Sequence, residues 1–192
     1  GGELKPEIPD WEALHYESLL KKSRDDIHSA TGVYVESFFG EMETVRQLDS
    51  TNILGQTRKL KLKLDSLDYG QRLEANRYLK VYLLRYPPDL LYNRLTRVFY
   101  GGKLQSEFPN GKYMELGGYS TENKVIFISL FGKLVKLDEK YYVYDFGSLF
   151  NHEMGHNFFT QNEFKYSNWV NLVTAKYFDL YKAQIPPESF KY

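Results

Sequence analysis

The sequence predicts an α+β fold, and three observations predict it. Residues 11–30, 69–86, 145–159 and 167–181 carry apolar side chains at helical spacing. Residues 59–64 alternate Lys and Leu strictly, and Val125-Ile126-Phe127-Ile128 is a run of strong β-formers. Gly-Gly, Pro-Pro and Pro-Asn-Gly signals then cut these segments from one another. The expected architecture is a small mixed sheet with an edge hairpin, packed on a central helix and followed by a C-terminal helix.

The elements follow in order. Asp10 is a suitable N-cap for a helix to about Ala30, with Trp11, Leu14, Leu19, Leu20 and Ile27 as its apolar stripe. His15 and His28 read as ordinary residues of that helix. Val33 to Phe39 reads as a strand after Gly32, and residues 40–57 carry no clear pattern. In Lys59 to Leu64 the leucines face a core and the lysines face water. A helix from Tyr69 to Tyr86 stops at Pro87-Pro88. A helical turn through Leu90, Leu91 and Leu95 follows, then a strand from Thr96 to Tyr100, broken by Gly101-Gly102. Residues 103–111 read as a loop. Lys112 to Tyr119 and Lys124 to Leu130 read as two strands joined by a turn at Ser120 to Asn123. Residues 133–143 read as a connector to a helix that Asp145 caps and that runs to about Phe159. A last helix spans about Ser167 to Tyr181.

Composition narrows the function classes. The 192 residues are 42% hydrophobic and 17% aromatic, as expected of one globular domain with a real core. No repeat or linker divides the chain. Its 25 basic and 25 acidic residues balance, so net charge offers no attraction to nucleic acid or anionic membrane. No apolar run approaches a membrane span. With no Cys, thiolate nucleophiles, disulfides and Cys-based zinc sites are excluded. Gly1-Gly2 reads as a cloning remnant, so a targeting segment is expected to have been removed.

One stretch carries chemistry. His152-Glu153-Met154-Gly155-His156 falls inside a predicted helix. There the two histidines, at i and i+4, share a face and can chelate one zinc ion. Glu153 sits beside the metal, placed to take a proton from an activated water. This is the HExxH arrangement of zinc metallopeptidases. Gly155 costs up to about 1 kcal/mol in a helix relative to Ala, which suggests a close neighbour. A catalytic zinc needs a third protein ligand. No His follows His156, so the metzincin pattern fails and a downstream carboxylate is expected. Glu163, Asp179 and Glu188 are the candidates.

The chain from Tyr69 onward resembles the gluzincins that include the anthrax lethal factor catalytic domain and the bacterial Pro-Pro endopeptidases. It also looks like the zinc-binding metallopeptidase lipoproteins of Bacteroides-type bacteria. The resemblance is carried by Tyr78-Leu79, by Arg97-Val98-Phe99-Tyr100-Gly101-Gly102-Lys103-Leu104, by Gly117-Gly118, by the strand Lys124 to Ser129 and by the HEMGH helix. It implies a single zincin-like domain, with residues 1–68 as an N-terminal helix and strands and 69–192 as the metallopeptidase region. It implies Glu188 as third ligand and Tyr181, seven residues earlier, as the oxyanion donor; Tyr166 and Tyr192 are the other tyrosines that stand as alternatives for that role. The expected protein is a monomeric zinc peptidase outside the cytoplasm (secreted, periplasmic or lipid-anchored). The expected substrate is an extended peptide lying antiparallel to the strand 124–129.

Overall fold

The structure, a computed structural model, describes residues 10–47, 57–107, 110–121 and 124–160. Helix α1 (Trp11–Thr31) begins where Asp10 accepts a hydrogen bond from the Ala13 N–H at 3.1 Å. It ends at Gly32, whose φ of +74° is the left-handed conformation glycine adopts without strain. Its buried side is shorter than the apolar stripe. Leu20, Ile27 and Thr31 are buried, but Trp11 is 72% exposed and Leu14 53%. Both exposed residues lie in the first turn of the helix.

The main sheet is mixed, in the order β1 (Tyr34–Ser37), β4 (Arg97–Gly101), β8 (Val125–Ser129), β7 (Gly118–Ser120). The first three strands are parallel and β7 is antiparallel to β8. A parallel pair needs a crossover. Between β1 and β4 it contains α2 (Tyr69–Leu84), with a capping box at Asp68 and Gln71, and α3 (Pro88–Arg94), which opens on Pro at its first position. Residues on both sides of position 69 therefore build one sheet.

A second sheet is antiparallel, in the order β2 (Gly40–Gln47), β3 (Thr57–Leu64), β5 (Leu104–Glu107), β6 (Tyr113–Glu115). The main sheet is covered on both faces. Val35, Val98, Tyr100, Ile126 and Ile128 pack with the helices. Phe127 packs with Leu62, Leu64 and Leu104 of the second sheet. Leu62 and Leu64 are buried as the alternation predicts, and Leu60 is half-buried. Lys61 spans the sheet surface between Glu41 at 2.9 Å and Glu107 at 3.4 Å. A separate hairpin, β9 (Lys133–Leu137) and β10 (Lys140–Tyr144), leads into α4 (Phe146–Thr160).

The architecture is mixed α+β, as expected, but the strand reading needs correction. The expected loop at 103–111 contains β5, and the expected connector at 133–143 is the β9–β10 hairpin. The expected strand 112–119 is two strands in different sheets, β6 and β7. Most consequentially, the strand 124–129 is not an edge. β8 is hydrogen-bonded to β4 on one side and β7 on the other, so its ladder has no room for a substrate strand. Its unbroken apolar run is the pattern of a strand covered on both faces. Among the described residues the edge on this side is β7.

At Gly101 the end of β4 meets the end of β3 with no room for a side chain. A Cβ there would lie 2.8 Å from a Leu64 methyl and the Phe38 carbonyl oxygen, and 2.9 Å from the Asp65 carbonyl oxygen. Two of those neighbours are backbone and cannot turn away. Gly101→Ala is expected to lower stability by about 1–3 kcal/mol, as overpacking does, read as a lower urea midpoint with an unchanged slope.

Candidate metal centre

The site is built on α4. Asp145 caps it, accepting from the Ser148 N–H at 2.8 Å. Phe146, Leu149, Phe150, Met154 and Asn157 are buried on the core side. An aromatic fan from α2 and the turn after it grips that side: Tyr82 lies 5.7 Å from Phe146 and 6.0 Å from Phe150, and Tyr86 lies 6.2 Å from Phe150. Gly147 makes this possible, because a Cβ there would sit 3.0 Å from the Tyr82 ring. Two polar ties fix the helix in rotation. The Tyr86 hydroxyl bonds to Asn151 Oδ1 at 2.7 Å, and Asn157 Nδ2 donates to the Arg94 carbonyl at 2.9 Å.

With the core side fixed, His152 and His156 stand on the flank, half-buried. Their Nε2 atoms are 3.0 Å apart, and the rings are nearly perpendicular at 76°. Burial, then the charges of His156 and Lys133, push the His152 imidazole down to about 3. It is therefore neutral at physiological pH, the form that has a lone pair to give. Two nitrogens bound at about 2.0–2.1 Å to a tetrahedral zinc stand roughly 3.3 Å apart, close to the spacing here. The same 3.0 Å contact also suits two neutral imidazoles sharing a proton, so the donor set fits a metal without requiring one. Ligand atoms of His152, Glu153 and His156 all lie within 4.8 Å of one another.

Glu153 is 5% exposed and points to β7, not to solvent. The Ser120 Oγ lies 2.9 Å from its Oε2 and 2.8 Å from its main-chain oxygen. A Cβ on Gly118 would fall 2.9 Å from both Glu153 Cγ and Oε1. Neighbouring Gly117, at φ +74°, would bring a Cβ to 2.9 Å from Lys133 and 3.1 Å from Leu149. Side chains on this pair would push α4 off the sheet. Gly155 is buried.

Of the residues expected at the site, His152, Glu153 and His156 are together. The third-ligand candidates Glu163, Asp179 and Glu188, the tyrosines Tyr166, Tyr181 and Tyr192, and the last helix lie outside the described residues. His15 and His28 are remote from the motif in role. His28 stacks on Tyr34 at 4.0 Å, and His15 lies edge-on to Tyr16. Sequence reasoning missed Ser120 and Lys133. It noted Gly117-Gly118 but not the purpose of the missing side chains. Comparison with protein-family models, with curated proteins and with solved structures found no match.

The cap offers a direct check on how the site is held. Asp145→Ala leaves the Ser148 N–H without its side-chain acceptor at the start of α4. It is expected to cost about 1 kcal/mol of stability by chemical denaturation, with His152 and His156 unchanged in identity and spacing.

Proposed function

We propose that the chain is a zinc-dependent peptidase of the zincin type. His152 and His156 hold the metal and Glu153 is the general base. Glu188 is the proposed third ligand and Tyr181 the proposed oxyanion donor. One observation carries the reading: two imidazole nitrogens 3.0 Å apart, with a buried carboxylate on the residue after the first histidine, on one helix. Zinc bound there would supply Lewis acidity, lowering the pKa of a water and polarising a carbonyl.

The chain's own residues do the rest. Glu153 lies within 4.8 Å of the imidazole nitrogens, near enough for its carboxylate to accept a hydrogen bond from a water held at the same centre. Its carboxylate accepts a proton from that water as the water oxygen forms a bond to the peptide carbonyl carbon. The C–N bond then breaks, and Glu153 passes the proton to the leaving amine nitrogen. An extended substrate would pair with β7, whose outer ladder is the sheet edge beside α4, not with the interior strand β8.

The experiment is metal analysis combined with hydrolysis of a quenched-fluorescent library of random octapeptides. About one zinc per chain is expected, and His152→Ala should lose it. Glu153→Gln should keep the metal and lower hydrolysis by at least about 100-fold. A protein that carries zinc but cleaves nothing would be a binding module. One without zinc would leave the imidazole pair as a hydrogen bond, and undiminished cleavage by Glu153→Gln would remove the mechanism.

A further inference from the structure

We propose that Ser120 is a positioning residue that, with the bare Cα of Gly118, sets the rotamer of the Glu153 carboxylate. The inference rests on Glu153 being the base. On the extended strand β7, residues 118 and 120 project to the same face, and both meet Glu153 of α4. The serine has one hydroxyl proton and two acceptors, Oε2 at 2.9 Å and the main-chain oxygen at 2.8 Å. Both acceptors belong to Glu153. The hydroxyl thus ties the glutamate side chain back to its own backbone.

Gly118 completes the clasp from the other side. A methyl there would stand 2.9 Å from Cγ and Oε1, closer than a Cβ comes to such atoms. The carboxylate therefore occupies the space that only a glycine leaves. One oxygen is anchored by Ser120, and that anchoring sets the direction of the other. A glutamate has three side-chain rotors, and an unrestrained one spends much of its time aimed away from the water it must deprotonate. Fixing it beforehand removes that loss from the reaction step. An alanine at 120 would keep the strand and lose the tie. A threonine would keep the hydroxyl and suit a strand.

The test uses Ser120→Ala and Ser120→Thr in the full chain, with added zinc as the metal probe and the random octapeptide library as substrate. Crystal structures of wild type and Ser120→Ala give a readout independent of activity. The alanine variant is expected to bind zinc as wild type does and to show the Glu153 carboxylate moved from its place beside Gly118. Its kcat should fall about tenfold with KM within about twofold, and Ser120→Thr should restore both carboxylate and kcat. A carboxylate that stays put, an unchanged kcat, a fall confined to KM or a threonine that does not rescue would each overturn the proposal. If wild type cleaves no peptide, the peptidase reading falls, and the position of Glu153 in Ser120→Ala alone decides this one. Should Ser120→Ala not fold, Ser120→Cys, similar in size but a weaker donor, takes its place with the same readouts.

Discussion

The molecule depends on how closely α4 approaches β7. The placement of Glu153 follows from that approach. The helix is pressed from the core by the Tyr82 and Tyr86 rings and received on the sheet side by Gly117 and Gly118. Because neither glycine has a side chain, Leu149 and Glu153 come down onto the strand itself. This is close packing of the kind that transmits small displacements, since nothing between helix and strand can absorb them. The histidines inherit their position. They lie on the flank because the buried side of α4 is fully taken by Phe146, Leu149, Phe150, Met154 and Asn157.

The main sheet performs a different task from the second one. Its parallel core strands are covered on both faces and hold the helices in register. The second sheet supplies the cover on the far face, through Leu62, Leu64 and Leu104 against Phe127. Gly101, lacking a side chain, leaves room for Leu64 of the second sheet. Among the described residues β7 is the edge strand of the main sheet that lies against α4, so the candidate site is set where that sheet ends and a helix crosses it.

How much of this was legible depended on whether the signal was local. The helices were, because caps and breakers mark them: Asp10 and Gly32 bound α1, Asp68 and Gln71 start α2, Pro87-Pro88 ends it, and Asp145 starts α4. The β9–β10 hairpin was not. Its two central turn residues, Asp138 and Glu139, have φ of +49° and +64°. Such turns are usually announced by Asn-Gly or Asp-Gly, and here no glycine is present. The short strands β5, β6 and β7 were missed or merged because three or four residues carry too little periodicity. Strand order is not a local property at all. A run such as Val125 to Ile128 shows burial on two faces but not which neighbours it pairs with. The histidine pair was legible from spacing alone. The clasp on Glu153 was not, since it joins residues 33 positions apart.

That separation bears on what the five-residue motif means. Spacing on a helix brings two imidazoles together in any sequence that folds that way, and their 3.0 Å contact can hold a proton as well as a metal. The placement of Glu153 is different, because it takes two further residues on another element to achieve it. A buried carboxylate is costly unless its oxygens are met. Ser120 meets one of them, and Gly118 gives up a side chain to make the space. The same low dielectric that keeps His152 neutral strengthens the attraction between this carboxylate and any cation between the imidazoles. Burial thus favours the neutral form of His152 and penalises an unpaired carboxylate at Glu153, a penalty that a cation between the imidazoles would offset. That makes the arrangement around Glu153, more than the histidine spacing, the reason to read this helix as a metal site.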